Sequence, residues 1–468
     1  MNRSKKAKSQ LLIATILAFV LVLLFFGARM VKMRAFSYPY NPQSDYQYTF
    51  NTENARIVEL CLSENRLDLS QVAESYQTAF IEMAIQYNLK GFASEPEVKM
   101  TDGTDTLFQN FECRTQGIRY LNISQLLQNE AKEIQFSFTG CKPKNKSVKL
   151  IAYKNVTPER EKILILSPHP DDAEIAAYGL YASNPKNTFI ATITAGEAGS
   201  MRYNELYSDS TAHYLKKGQL RVWNSITVPM LGGMAPEKCI NLGYFDASLA
   251  KMYRDTLAHG FSKYLKTDDI NLFRSNNCHH LPDSLKPEST WRSLVNDLKY
   301  LLLKEKPTII VTTYPAHDWH NDHKFTTVAL LQTMKELPYN QCELWLYTNH
   351  LPLTEMYPDG KVGSQTSLPP NFGNQQMYFE ALASYPLAAQ LQAEKTLALD
   401  AMNDLRPNTQ YRNTKASWLQ FKQNFFDKLY LKESDYFRRS VRSSELFFVI
   451  DGKSALQPEI QTKIIGEL

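Results

Sequence analysis

The sequence predicts an α/β protein: a mostly parallel sheet with covering helices, preceded by a transmembrane helix and a small β-rich, sandwich-like domain. Three observations carry that expectation. From about Pro158 onward, short apolar runs alternate with longer helical stretches. Two clusters of histidine and aspartate each directly follow one of those runs. Near the start of the chain, an uncharged apolar stretch follows a short basic segment.

At 468 residues the chain exceeds one ordinary core, so two domains plus extras are expected. Hydrophobic content of 43% with 21% charged residues is that of a folded protein rather than a disordered one. A net charge of only +4, with no basic stripe, excludes a nucleic-acid surface. Residues 1–10 form a short basic segment with Arg3, Lys5, Lys6 and Lys8. Residues 11–28, "LLIATILAFVLVLLFFGA", then approach the roughly 20 apolar residues that a membrane crossing needs. That run is longer than a signal-peptide core and ends in "FFGARM", a poor cleavage site, so it reads as an uncleaved anchor. Positive charges flank both of its ends, and the basic N-terminus sets the expectation that the bulk is extracytoplasmic. Six cysteines without a C-x-x-C pair permit disulfides there and equally suit buried thiols.

Residues 29–45 read as a polar linker, and 46–157 as a β-rich accessory domain. "EIQFSFTG" and "SVKLIAYK" read as strands around the turn-like "CKPKNK", while "SQVAESYQTAFIEMAIQY" reads as one helical interruption. Residues 158–468 form the α/β domain with a helical C-terminal extension, in which "SELFFVI" is a late edge strand. "KILILS", "TFIATITAG", "KPTIIVTTYP" and "CELWLYTN" are buried-strand candidates. The helical stretches between and beside them include "AEIAAYGLYAS", "STWRSLVNDLKYLLLKEK" and "KFTTVALLQTMKEL". In such sheets ligands bind where strands end and loops begin.

"SPHPDDAEIAAYG" places His169, Asp171 and Asp172 at one such junction. A polar turn with an aspartate helix cap would explain these residues alone. The second cluster, "TTYPAHDWHNDHKFTT", places His317, Asp318, His320, Asp322 and His323 at another junction of the same kind. A parallel sheet would bring the two together at one edge. A hydrolytic zinc site needs three protein ligands and one open position. His169 and Asp172 would supply two from a loop that Pro168 and Pro170 restrict, and His323 the third. Asp171 is left to take a proton from water that the metal has acidified. His320 would set a cationic imidazole against a developing oxyanion, with Asp322 orienting that ring.

"PHPDDAEI" followed by a distant "HNDH" resembles the PIG-L/LmbE family of zinc-dependent N-deacetylases, which act on N-acetylglucosamine-type substrates. The resemblance spans roughly Lys162 to Lys335 and implies a Rossmann-like sheet with metal at its carboxyl edge. It implies His169, Asp172 and His323 as Zn2+ ligands, Asp171 as general base, and His320 with Asp322 as oxyanion aids. It also implies Arg221 and Asp246 as substrate-binding positions, and "TAGEAGS" resembles the family's turn after the second strand. Departures are Ala173 before Glu174, Asn321 where proline is common, and Asn224 where a glutamate often follows the arginine. Leu257 to Ser289 reads as an insertion, and its His279 and His280 read as surface-loop residues.

The implied activity is zinc-dependent removal of an N-acetyl group from an amino sugar in a glycan, glycolipid or glycoconjugate. The implied partners are that sugar and, through the N-terminal helix, a membrane. Two alternatives stay open: an anchored glycan-binding protein with a degenerate metal site, and a metal-dependent hydrolase of another amide or an ester. Acetate release from N-acetyl and O-acetyl sugars separates them.

Overall fold

A computed structural model describes residues 2–36, 38–72, 75–199, 203, 206–352, 354, 357–373, 377–402 and 439–468. The N-terminal helix α1 (Asn2–Phe36) contains an apolar window, Gln10–Gly27, of mean hydropathy 2.6 and long enough to cross a membrane. The helix continues to Phe36, into the segment read as linker. From residue 38 that segment is not a loose tether: Tyr38 is buried, and so is Tyr46 just after its end. The Tyr46 hydroxyl donates to Glu112 at 2.6 Å, and Glu112 is ion-paired with the buried Arg119 at 3.2 Å.

The β-rich region contains two antiparallel sheets. One pairs the strands Ala55–Cys61, Ser147–Tyr153, Thr78–Tyr87 and Gln116–Asn122. The other pairs Arg66–Asp68, Glu133–Thr139, Glu97–Thr101 and Thr106–Asn110. The "EIQFSFT" and "SVKLIAY" strands therefore lie in different sheets, and the intervening Cys141–Pro143 pairs with Ile85–Tyr87 instead. From Thr78 to its end at Tyr87, the segment read as helical is a strand. Both of its faces are covered, so its apolar residues form a near-continuous run that mimics a buried helix. Ile81, Met83 and Ile85 pack with Val98, Met100, Ile134 and Phe136 of the second sheet. Phe80, with Tyr120, Ile151 and Tyr153, shares one core cluster with the residues of the α/β region. Burying the polar groups at that junction requires partners. Asn122 Nδ2 donates to Ser384 Oγ at 2.8 Å, and the Ser384 N–H donates to Thr78 Oγ1 at 2.9 Å.

The α/β region is built on a seven-stranded sheet. In chain order its strands are β1 (Ile163–Ser167), β2 (Thr188–Thr194), β3 (Cys239–Tyr244), β4 (Ile309–Thr313), β5 (Glu343–Tyr347), β6 (Ala381–Pro386) and β7 (Ser444–Asp451). Their spatial order is β3-β2-β1-β4-β5-β7-β6. The first five are mutually parallel, and β7 runs antiparallel to both of its neighbours. "SELFFVI" is thus an interior strand, and the edge falls to β6. β1, β2 and β4 are buried along their whole length, as expected where both faces are covered.

The helices α2 (Asp172–Ser183) and α5 (Asn321–Glu336) follow β1 and β4 directly. Helix α3 (Ser210–Thr227) precedes β3, and α4 (Trp291–Glu305) packs on α5. Helix α6 (Ala389–Ala401) packs on α2. The remainder of the expected helical C-terminal extension, 403–438, lies outside the described residues. All six cysteines are free thiols.

Candidate active site

Parallel pairing sets Ile163 beside Ile309 and Ile165 beside Val311, so β1 and β4 end side by side. Each strand then turns into a helix. Asp171 is the N-cap of α2, and His320 is the N-cap of α5. Two positive helix N-termini therefore converge on the same edge, where they favour carboxylates and developing negative charge. The two sequence clusters meet there.

His169 Nδ1, Asp172 Oδ2 and His323 Nε2 form a nearly equilateral triangle. Its edges are 3.2 Å from His169 to Asp172, 3.1 Å from His169 to His323, and 3.2 Å from His323 to Asp172. The opposite nitrogen of each ring faces carboxylates. His323 Nδ1 lies 2.8 Å from Asp318 Oδ2, and His169 Nε2 lies 3.4 Å from Asp322 Oδ2 and 3.5 Å from Asp246 Oδ1. In the neutral tautomers those outer nitrogens carry the hydrogens, leaving two nitrogen lone pairs and a carboxylate oxygen aimed at one another. Such a triangle repels itself unless a cation sits on it. Ligand atoms about 2.0–2.1 Å from a tetrahedral ion are about 3.3 Å apart, so the observed edges suit a zinc-sized ion. His320 extends the cluster: one ring nitrogen of each of His169, His320 and His323 falls within a 4.8 Å group.

The electrostatics agree. Burial raises the Asp172 carboxyl, but His323 and His169 overcome it and hold the group well below the usual carboxylate range. Burial opposes protonation of His323, yet Asp172 and Asp318 push its pKa up to about 10. His169 is likewise raised, against burial, by Asp172, Asp246 and Asp322. The field here favours positive charge, whether proton or metal.

Asp171, one residue before Asp172, is paired with Arg221. Its Oδ2 lies 3.2 Å from Arg221, and burial pushes its carboxyl up against the pull of that guanidinium. Gly196, at φ +60, makes room for this pair: a Cβ there would come within 2.9 Å of both Arg221 Cζ and Pro170 Cδ. Arg221 and Asp246 both face the site. Asp246 follows β3, and its N–H donates to the buried Glu197 at 3.0 Å. The Ser262 hydroxyl donates to the same carboxylate at 2.9 Å, which ties the 257–289 segment to the site.

Two expectations meet a different geometry. Asp322 forms no hydrogen bond to His320; its carboxylate accepts the N–H groups of Ala247 at 2.6 Å and Leu249 at 3.3 Å, and it backs His169. Ala247 sits at φ +62, and the bond to Asp322 secures that left-handed conformation. His320 is not cationic: burial and then its histidine neighbours push its pKa down to about 4, so the ring is neutral near pH 7. His279 packs near Phe189 at the start of β2, the end of the sheet opposite the motif loops.

Three contributors were not assigned roles from sequence. Asp318 accepts from His323 and from the His320 N–H at 2.9 Å. Asn349 donates to Asp172 Oδ1 at 2.6 Å, and His350 has its ring centroid 5.1 Å from that of His323. "NH" directly after the strand "CELWLYT" is the signal that would have found the last two, because that strand ends at the same edge.

Residues 164–334 match the family model of PIG-L, GlcNAc-PI de-N-acetylase. A comparison with curated proteins matches none. Among solved structures, the chain is similar to the A40926 pseudoaglycone deacetylase at 16% identity and TM-score 0.33, covering 62% of this chain and 98% of that one. It is similar to the N,N'-diacetylchitobiose deacetylase of Pyrococcus horikoshii at 16% identity and TM-score 0.34, covering 63% and 86%. A deacetylase in the biosynthesis pathway of teicoplanin aligns at 17% identity and TM-score 0.34, covering 62% and 98%. These overlays are loose, and the family match rests on sequence. Both motif loops, with Arg221 and Asp246, fall inside the matched segment, so the part of this chain that carries the site resembles the PIG-L de-N-acetylases, as its motifs indicated.

Proposed function

We propose that the chain is a membrane-anchored, zinc-dependent N-deacetylase acting on an acetylated amino sugar in a glycan, glycolipid or glycoconjugate. The observation that carries this reading is the triangle of His169 Nδ1, Asp172 Oδ2 and His323 Nε2, with edges of 3.1–3.2 Å, next to the largely covered carboxyl of Asp171. Residues 158–468 then form a Rossmann-like catalytic domain, and 46–157 a sandwich-like accessory domain. In the same reading the N-terminal helix is the anchor and both lie on the extracytoplasmic side.

In this reading His169, Asp172 and His323 hold the ion. Zinc bound there supplies Lewis acidity, lowering the pKa of water towards ~7 and polarising the acyl oxygen. Asp171 accepts the proton of the attacking water. Its raised carboxyl keeps it basic enough for that task, and Arg221 keeps it oriented. His320, being neutral, donates a ring N–H to the developing oxyanion. Asp322 acts through His169 rather than through His320. Arg221 and Asp246 meet the sugar. The oxygen of water joins the acyl carbon, the carbon–nitrogen bond breaks, and the proton held by Asp171 passes to the departing amine.

The test is acetate release from acetamido sugars by the full-length chain in detergent, with and without chelator. The reading predicts release that chelator abolishes and zinc restores, and Asp171→Asn should keep zinc while losing roughly 100-fold or more in rate. Release that is indifferent to chelator would overturn it.

A further inference from the structure

Trp319 sits directly between the buried Asp318 and His320, yet it is 53% exposed. Its ring centroid lies 5.6 Å from that of His320 and 5.6 Å from that of His350. His320 in turn lies 4.6 Å, ring to ring, from His169. The indole therefore stands at the rim of the metal-ligand cluster. Its backbone is pinned, because the Trp319 N–H donates to the His350 carbonyl at 3.1 Å. Asp318, just before it, accepts the N–H groups of both His320 and His350. About half of a large aromatic side chain is thus exposed on a backbone held by that hydrogen bond.

Polar side chains stand at the same edge, with Asp171 paired to Arg221 and with Asp246 beside His169. A ring-shaped ligand with hydroxyls at its edge and C–H groups on its face matches this division. A pyranose has that form. We propose that Trp319 is a specificity-determining residue: a fixed platform that stacks on the C–H face of the pyranose ring carrying the acetamide, while Arg221 and Asp246 take its hydroxyls. This rests on the deacetylase reading of the same site.

The experiment compares the full-length chain with Trp319→Ala and Trp319→Phe in detergent. Substrates are chitotriose, N-acetylgalactosamine and the acyclic amide N-acetylethanolamine, and sugar binding is followed separately by saturation-transfer NMR. A hydrophobic contact of this size is worth about 10-fold or more in discrimination. Trp319→Ala should raise KM for the sugars about 10-fold with kcat within about 3-fold, and leave the acyclic amide unchanged. Trp319→Phe should fall between, and all three proteins should hold equal zinc, which excludes misfolding. If sugar KM and binding are the same in Trp319→Ala, the platform is overturned while the deacetylase reading stands. If sugars bind in a Trp319-dependent way but release no acetate, the platform stands and the deacetylase reading fails. If wild type neither binds nor hydrolyses the sugars, both fail.

Discussion

Replacing Asp318 by asparagine tests whether the second cluster is built around a metal or is simply a polar core. Asp318 Oδ2 lies 2.8 Å from His323 Nδ1, and both side chains are fully buried. The carboxylate can only accept at that position, so it fixes the hydrogen on Nδ1 and leaves the Nε2 lone pair facing Asp172 and His169. Burial raises the Asp318 carboxyl, yet His323 holds it below the usual range, so it is charged at neutral pH. Asparagine keeps the shape but removes the charge, and its amide presents a donor or an acceptor with little preference. Partners of this kind contribute about 10–100-fold to metal affinity, equivalent to ~1.4–2.7 kcal/mol. The assay is a competitive zinc titration against a chelator of known affinity, on the full-length chain in detergent. We expect Asp318→Asn to bind zinc in the same stoichiometry, 10–100-fold more weakly. Unchanged affinity would mean that His323 needs no orienting carboxylate, and would refute the tautomer reasoning on which the triangle depends.

Three further outcomes follow from the geometry. Lys395 and Glu445 form a buried pair at 2.9 Å, and Glu445 accepts the Gly179 and Leu180 N–H groups beyond the kink of α2 at Ala177. Lys395→Met leaves that carboxylate buried and unpaired, so a destabilisation of about 3–5 kcal/mol is expected in thermal or denaturant unfolding, and a change below about 1 kcal/mol would contradict it. Burial pushes the buried His317 down from 6.5 to about 4, so the unfolded chain binds the extra proton between those values. Its stabilising contribution is complete above pH 6.5 and is lost as pH falls towards 4, by at most roughly 3 kcal/mol; His317→Phe should flatten the Tm-against-pH curve in that window, and an unchanged curve would count against it. Asp322→Asn weakens the hold on both His169 and the left-handed Ala247, so zinc affinity should fall together with stability; a loss of stability with zinc affinity intact would remove Asp322 from the site.

The α/β half of the molecule was legible because its chemistry and its topology repeat one pattern. β1 and β4 each begin with a short apolar run, each is followed by histidine and aspartate, and each leads into a helix. Parallel pairing does the rest, setting the two loops side by side. What sequence reasoning lacked was the direction of side chains within the cluster. Spacing places Asp322 beside His320 on the chain, but the first turn of α5 points its carboxylate at the 247–249 backbone and His169. Burial, which no spacing reveals, decides that His320 is neutral. In the β-rich region, the doubly covered strand Thr78–Tyr87 lost the alternation that marks a strand and so read as a helix. β7 read as an edge strand because β6, which lies outside it, has only the weakly apolar "ALASYP" to announce it.

The central claim is most directly tested by locating zinc in crystals of the full-length chain through anomalous diffraction at the zinc absorption edge. The account predicts one strong peak about 2.0–2.2 Å from His169 Nδ1, an Asp172 carboxylate oxygen and His323 Nε2. A fully loaded protein whose peak lies elsewhere, or whose His169 and His323 rings turn away from the ion, would contradict it.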